Sequence, residues 1–392
     1  MSFDSLSFVL LLFGSIILFH LLKEEYRKYV LLIASAIFYL VYSFKYFVLL
    51  FLLSLMTFFL SHYLDRANRK IILIAYLFIV IGVLCFYKYA SLFSLKNVLF
   101  PLGISFYTFQ MIGYFVDVYK GELSPCKDFF DFLLLILFFP KLSSGPIEDS
   151  ASFLKQTKKM KGANEKQIIE GFTLLLVGLF KKMMIANRIA SLIDPIYTEY
   201  ARYNGFAVFL ALVLYAFEIY ADFSGYSDMA VGCGKLFGIE LSENFNHPYL
   251  CANFDDFWRR WHISLTRWFR KYVYFSLSGN RKGRVRTYIN IMVVFLLSGL
   301  WHGNQFHYLV WGLLNGVLVI FSKFLSERNI VNEKIRRVMS LLLIVISWTF
   351  FAAPSLSSAI SVLGRIFSNN GGFLKTGPDL YIAVVLCRSE EH

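Results

Sequence analysis

Charged residues are scarce in this chain of 392 residues, at 17% of the sequence, against about a quarter in an average soluble domain. Apolar residues make up 57% and aromatic residues 19%. Apolar runs recur along most of the length, so the composition argues against an ordinary soluble enzyme or a string of soluble domains. It favours one continuous helical domain embedded in a membrane.

Cysteine pairs and metal-binding histidine pairs are also missing. None of the five cysteines forms a C-x-x-C pair; they are Cys85, Cys126, Cys233, Cys251 and Cys387. No H-x-x-x-H or H-E-x-x-H pattern includes His20, His62, His247 or His307. These absences argue against a zinc site and a disulfide framework, and we expect no bound metal or cofactor. No serine or cysteine nucleophile with a recognisable turn is present either.

Positive charge is in excess, with a formal net charge of +13. The basic residues lie in short loops between apolar runs, where they are typical of cytoplasmic loops. If each intervening run crosses the membrane once, two of these loops fall on one side; they contain Lys23, Arg27, Lys28, Arg66, Arg69 and Lys70. We expect that side to be cytoplasmic and the N-terminus to be extracytoplasmic. Membrane orientation therefore explains the charge better than nucleic-acid binding does.

Many apolar stretches approach the roughly 20 residues that a spanning helix needs. They lie near 5–22, 29–44, 46–63, 71–87, 97–116, 170–185, 206–221, 287–303, 307–324 and 338–353, with a weaker one near 380–387. The run 129–140 is too short to cross and ends in proline and glycine, which predicts a re-entrant or surface-lying segment. The sequence predicts an all-α, polytopic membrane protein with about ten to twelve membrane segments.

The stretch 240–286 mixes aromatic and basic residues more densely than a spanning helix or a loop does. Within 253–274 the apolar residues recur at three- and four-residue spacing, which predicts one helix with a shared face; they are Phe257, Trp261, Leu265 and Trp268. Such a helix suits the membrane interface, as an anchor or as part of a site. A groove for single-stranded nucleic acid is disfavoured because membrane spans flank the segment.

Two histidines stand out as candidates for chemistry. His302 ends an apolar run in Ser298-Gly-Leu-Trp-His-Gly303, where an ionisable group is costly and needs a reason. His262 follows Arg259 and Arg260, whose charges are expected to favour a neutral imidazole that can act as a base. A structural role, as a hydrogen-bonded histidine of the core or interface, is the alternative for each.

Acidic residues close another apolar run, and they too need partners or water at membrane depth. Asp222 and Asp228 could orient a substrate, or they could pair with Arg259 or Arg260. We favour the structural pairing.

Four motifs are more specific than these patterns: Asp222-Phe-Ser-Gly-Tyr-Ser-Asp228, Asn244-Phe-Asn-His-Pro-Tyr249, Phe257-Trp-Arg-Arg-Trp-His-Ile-Ser264 and Gly299-Leu-Trp-His-Gly303. Together they resemble the membrane-bound O-acyltransferase (MBOAT) family. The segments 104–109 and 139–147 are similar to the same family. The motif-bearing core thus runs from about 100 to about 325, within a single membrane domain spanning 1–392. The segments 268–274 and 278–281 are most similar to the branch of alginate, peptidoglycan and other polysaccharide O-acetyltransferases.

The resemblance implies that His302 is the catalytic histidine, and that His262 is a second active-site histidine in a shared tunnel. It also implies residues that contact substrate, which we expect to be Arg259, Arg260, Trp301, Asp222, Tyr226 and Asn246. The implied donor is cytoplasmic acetyl-coenzyme A. The implied acceptor is an extracytoplasmic polysaccharide, reached through a periplasmic or surface acetyltransferase, and the implied location is the bacterial inner membrane.

Three alternatives stay open: D-alanyl transfer to teichoic acid, a transporter that uses the histidines and acids as a path, and a non-catalytic scaffold for a partner acetyltransferase. The chain departs from the resemblance at Ser278, where relatives usually have glycine, and at Ser143-Ser144, where they have an apolar pair. Relatives usually continue with further membrane helices after the point where this sequence ends at His392, and a truncated or frameshifted reading frame is one expectation that this departure raises.

Overall fold

The structure is a computed structural model that describes residues 3, 5–64, 68–93, 99–328, 331–368 and 370–372. Most of these residues are helical, and no β-strand forms in them beyond one isolated bridge between Tyr203 and Gly372. The predicted all-α class is therefore confirmed. The weaker apolar run near 380–387 lies outside the described residues.

The contacts group the chain into two compact units, of which unit 1 covers 1–178 and 226–243. Its helices are α1 (Leu6–Leu21), α2 (Glu24–Tyr42), α3 (Phe44–Ser61), α4 (Arg69–Tyr89), α5 (Ile104–Lys120), α6 (Phe129–Leu137), α7 (Phe139–Leu142), α8 (Ser150–Thr157) and most of α9 (Glu165–Phe180). Side chains satisfy the free amides at several helix starts: Asp128 accepts from Phe130 at 2.8 Å, and Asp149 accepts from Ser152 at 2.9 Å. The core of unit 1 includes α5, most of whose side chains are buried.

Unit 2 covers 179–225 and 244–392. After a π-helical stretch (Lys181–Ala186) it contains α10 (Asn187–Thr198), the first part of α11 (Gly205–Leu236), α12 (Phe254–Arg260), α13 (Ile263–Phe269), a second π-helical stretch (Arg270–Tyr274), α14 (Gly283–His302), α15 (Phe306–Arg328), α16 (Glu333–Ala352) and α17 (Leu356–Arg365). The chain passes between the units within α11. This grouping reflects packing, and the single membrane domain of 1–392 stays a prediction.

Six of the described helices are long and apolar enough to cross a membrane; they are α3, α4, α11, α14, α15 and α16. The chain is thus a multi-pass membrane protein. Several other predicted spans form helices that are shorter or more charged, such as the 16-residue α1. The predicted total of ten to twelve segments therefore stays a prediction.

The run 129–140 forms the nine-residue α6, which is too short to cross a membrane, as the sequence predicts. Its side chains from Asp131 to Leu137 are all buried inside unit 1. The choice between a re-entrant and a surface-lying segment stays a prediction.

Candidate active site

One cavity of about 510 Å³ in unit 2 brings the two predicted histidines together. Both His262 and His302 line it, although 39 residues (302 − 262 − 1) separate them in the chain. Its wall also contains three cationic side chains, from Arg259, Arg270 and Lys323, and the carboxylate of Asp255. The cavity therefore combines a few charged groups with aromatic and aliphatic side chains, as is usual for ligand pockets.

Helix α14 supplies one wall of the cavity and ends at His302. The lining residues recur at three- and four-residue spacing and so share one face of the helix; they are Ile291, Val294, Phe295, Ser298 and His302. The backbone of α14 lies close to that of α15: a Cβ added at Gly299 would lie 2.3 Å from the carbonyl oxygen of Tyr308. Gly299 thus allows the two helices to pack closely.

The chain breaks sharply at His262, which contradicts the predicted continuous helix over 253–274. His262 has φ 43° and ψ 55°, in the left-handed region, between the end of α12 and the start of α13. The segment 244–246 forms backbone hydrogen bonds with residues on both sides of His262. The amide of Asn246 donates to the carbonyl of Arg260 at 3.0 Å. The amide of Ile263 donates to the carbonyl of Asn244 at 2.9 Å. These tertiary hydrogen bonds stabilise a bend that the helical spacing of the sequence does not predict.

Asn244 also accepts a hydrogen bond through its side chain, since its Oδ1 receives the amide of Ser264 at 3.2 Å. Asn244 is 1% exposed. Both its backbone carbonyl and its side chain thus accept hydrogen bonds that stabilise the turn at His262. Sequence reasoning did not single out this residue. Its place two positions before Asn246 in a motif was the available signal.

Aromatic rings surround His302 on three sides. The imidazole stands nearly perpendicular to Trp301, Trp311 and Phe351, with centroid distances of 4.8, 5.2 and 5.0 Å. Edge-to-face packing of this kind restricts how the imidazole can rotate. His302 thus lines the cavity while aromatic side chains of α14, α15 and α16 surround its ring. We call these three side chains the aromatic frame.

His262 is more deeply buried than His302, at 3% exposure, and both of its ring nitrogens are shielded from solvent. Its ring packs edge-on against Phe223 at 4.6 Å and lies 6.0 Å from Trp301. Burial lowers the pKa of His262 to about 3, because leaving water disfavours the charged imidazolium. The predicted neutral form is retained, but its cause is burial rather than the neighbouring arginines.

The arginines of α12 pair within their own helix. Arg259 forms an ion pair with Asp255, and Arg260 pairs with Asp256 at 3.0 Å, each at i,i+4 spacing. Asp222 forms its ion pair with Lys182 instead. The predicted pairing of Asp222 with Arg259 or Arg260 is therefore wrong, because acids one turn away occupy those guanidinium groups.

The other predicted substrate contacts are dispersed. Arg260, Trp301, Asp222 and Asn246 belong to unit 2 but are not among the described residues that line the cavity. Trp301 still contacts both histidine rings, whereas the side chain of Asn246 is exposed. Tyr226 belongs to unit 1, where its hydroxyl bonds to that of Ser143.

Two cationic lining residues were missed by sequence reasoning. Arg270 and Lys323 reach the cavity from the second π-helical stretch and from α15. Lys323 lies in the apolar run 307–324, so a lysine inside a predicted span was the available signal. Among the described lining residues, Arg259, Arg270 and Lys323 thus supply three cations and Asp255 one carboxylate, an arrangement suited to an anionic ligand.

Comparison with known proteins places these residues in context. Residues 122–361 match the family described as "MBOAT, membrane-bound O-acyltransferase family". The chain is 34% identical over 375 residues to "Probable alginate O-acetylase AlgI" of Pseudomonas aeruginosa, covering 90% of this chain and 72% of that protein. It is 32% identical over 393 residues to "Peptidoglycan O-acetyltransferase" of Helicobacter pylori, covering 88% and 75%. A "Teichoic acid D-alanyltransferase" of Bacillus subtilis is 31% identical over 242 residues, covering 59% and 61%.

Proposed function

The chain belongs to the membrane-bound O-acyltransferase family, and from that premise we propose that it transfers an acetyl group from a cytoplasmic donor to hydroxyls of an extracytoplasmic polysaccharide. The observation that carries the proposal is the shared cavity of His262 and His302. Enzymatic O-acyl transfer needs a base beside a site large enough for an acyl donor and an acceptor. The proposal is supported by two imidazoles on the wall of one cavity of about 510 Å³.

His302 is the proposed base. It takes the proton from the acceptor hydroxyl as the oxygen attacks the carbonyl carbon of the thioester, and a C–O bond forms. The C–S bond then breaks, and the proton passes from His302 to the departing thiolate. General-base catalysis of this kind is worth on the order of 10²–10⁴-fold in rate. The aromatic frame of Trp301, Trp311 and Phe351 supports this role by limiting the orientations of the imidazole.

We propose that His262 assists the transfer by helping to position the indole of Trp301. Its buried nitrogens and a pKa of about 3 keep the ring neutral at physiological pH. The indole of Trp301 lies beside both histidine rings, so the turn at His262 helps to set where that indole stands. A neutral ring at this point also leaves the positive charge of the cavity to the arginines and the lysine.

The proposed donor is acetyl-coenzyme A, whose phosphates carry negative charge. Arg259, Arg270 and Lys323 are the cavity residues that fit such a donor. Arg270→Gln and Lys323→Gln are expected to raise the KM for acetyl-coenzyme A in membrane vesicles and to leave kcat nearly unchanged. Lys334→Gln, an exposed lysine of α16, is the matched control. A fall in kcat at constant KM would contradict a role in donor binding.

The relatives support the proposed acceptor. The alginate O-acetylase of Pseudomonas aeruginosa and the peptidoglycan O-acetyltransferase of Helicobacter pylori match 90% and 88% of this chain, whereas two teichoic acid D-alanyltransferases match 59% and 70%. This breadth supports acetyl transfer to a polysaccharide over D-alanyl transfer. We place the chain in the bacterial inner membrane and expect a periplasmic or surface acetyltransferase to pass the acetyl group onward.

The test is base-released acetate from the surface polysaccharides of cells that lack the native gene. Cells receive the unmodified chain, His302→Gln or His307→Gln at matched membrane levels. His307 is also a buried histidine of unit 2, but it is not among the described residues that line the cavity, which makes it the matched control. We expect acetate from the unmodified chain and from His307→Gln, and none from His302→Gln.

The other outcomes separate the alternatives. Acetate from His302→Gln would show that His302 is not the base. Release of D-alanine in place of acetate would favour the teichoic acid reaction. An absence of both products, with the unmodified chain at normal membrane levels, would favour a transporter or a scaffold.

A further inference from the structure

The loop between the second π-helical stretch and α14 contains two successive left-handed residues. Ser278 has φ 80° and Gly279 has φ 56°. A serine at positive φ is strained, because its Cβ crowds the backbone in a region that glycine enters freely. A strained turn persists where its surroundings hold it in place.

One buried side chain holds this turn. The Nδ2 of Asn290 donates to the carbonyl of Leu277 at 3.1 Å and to the carbonyl of Gly279 at 2.7 Å. Asn290 is 0% exposed and lies on α14. Its two hydrogen bonds therefore bracket Ser278 from a helix whose far end is His302.

The residues on both sides of this turn form part of the cavity wall. Tyr274, Phe275 and Asn280 line the cavity. The amide of Gly279 donates to the carbonyl of Tyr274 at 2.9 Å, and the amide of Ser278 donates to that of Phe275 at 3.1 Å. Movement of the turn would therefore shift part of the wall of the cavity that His302 also lines.

We infer that Asn290 is a positioning residue, which holds the Leu277–Gly279 turn and through it one wall of the cavity. Its effect on transfer rests on the proposed function, whereas its effect on the turn does not. Two measurements therefore follow: cleavage of the turn by trypsin, and release of acetate.

The rate of trypsin cleavage reports directly on the turn, because Arg281 and Lys282 follow it and are exposed. The purified full chain in detergent is digested briefly, and cleavage after these two residues is quantified by mass spectrometry. Asn290→Leu removes both donors, so cleavage there should accelerate roughly tenfold. Asn290→Ser, which keeps one hydroxyl donor, is a milder variant in case the leucine chain does not fold.

The variant Ser278→Gly distinguishes a specific effect of Asn290 on the turn from a general loss of stability. Glycine removes the strain that Asn290 opposes, so in the Asn290→Leu background it should slow cleavage by about threefold or more. The same change in the unmodified chain should have a smaller effect. Equal effects in the two backgrounds would overturn the inference.

Asn315 on α15 is the matched control. It is also 0% exposed, and its Nδ2 donates to the carbonyl of Trp311 in its own helix at 2.8 Å. Asn315→Leu should leave cleavage after Arg281 unchanged, and Ser278→Gly should not rescue any loss that it causes. Acceleration by Asn315→Leu matching that of Asn290→Leu would also overturn the inference.

The acetate assay then tests the cavity wall. Acetate release should fall with Asn290→Leu and recover in the double variant with Ser278→Gly. If trypsin shows coupling but acetate does not follow, the positioning role in transfer is wrong. If the unmodified chain releases no acetate, the proposed function fails, and the trypsin measurement still decides whether Asn290 holds the turn.

Discussion

The imidazole of His302 and the indole of Trp311 stand at 84° to each other, with ring centroids 5.2 Å apart. Trp311 is 1% exposed and belongs to α15, so it steadies His302 from a neighbouring helix. Trp311→Leu should lower transfer by more than the loss of folded protein explains, because the imidazole gains freedom to rotate. The loss of stability should be on the order of 2 kcal/mol.

Thermal unfolding in detergent and acetate release per folded molecule check this prediction. Phe115→Leu is the control, since Phe115 is equally buried but belongs to unit 1. It should lose stability and keep transfer. A similar loss of transfer in both variants would mean that Trp311 acts through stability alone.

The left-handed backbone of His262 predicts different results for two substitutions. Asparagine tolerates φ 43°, whereas a β-branched valine there should cost about 1–2 kcal/mol. Both His262→Asn and His262→Val should reduce transfer, but only valine should lower the unfolding temperature markedly. His247 has φ 44° and is exposed, so His247→Val should lose stability while keeping transfer. An unfolding temperature for His262→Asn as low as that for His262→Val would contradict the backbone argument.

Burial of His262 also predicts how stability depends on pH. The pKa of His262 is about 3 in the folded chain and about 6.5 in an unfolded one. As pH falls below 6.5 the unfolded chain binds a proton that the folded chain excludes, so stability falls until pH reaches about 3. The slope approaches roughly 1.4 kcal/mol per pH unit. Unfolding from pH 7 to pH 4.5 should be less pH-dependent in His262→Asn, and equal slopes would show that another group is responsible.

The close packing of α14 on α15 predicts that Gly299→Ala is harmful. The added Cβ would lie 2.3 Å from the carbonyl oxygen of Tyr308, and backbone cannot rotate away as a side chain can. We expect a cost of about 1–3 kcal/mol and weaker transfer, since α14 carries His302. Gly82→Ala on α4 meets nothing within 4 Å and should stabilise its helix by roughly 0.5–1 kcal/mol. Unfolding temperatures and acetate release of both variants measure the difference.

The helices of this protein were largely predictable because their signals are local. The apolar run predicted at 287–303 became α14, with His302 as its last residue. The i,i+4 pairs of Arg259 with Asp255 and of Arg260 with Asp256 were equally local. They could have been predicted, but sequence reasoning sought the more distant Asp222 instead.

The resemblance anticipates glycine at position 278, and the structure supplies the reason. Ser278 has φ 80°, in the region that glycine favours. The sequence indicated that a residue was unusual there, but it did not show that the position is a left-handed turn held by Asn290. The turn itself required the fold.

The sequence by itself determined the all-α membrane class and the family, and it singled out His262 and His302 as candidates, since these inferences depend on composition, run length and motif. Only the tertiary structure decided that the chain breaks at His262, because Asn244 bonds to residues 263 and 264 across an intervening loop. It alone also decided that Arg270 and Lys323 share the cavity with His302. Contacts between residues far apart in the chain depend on how helices pack, and helical periodicity does not determine which helices pack together.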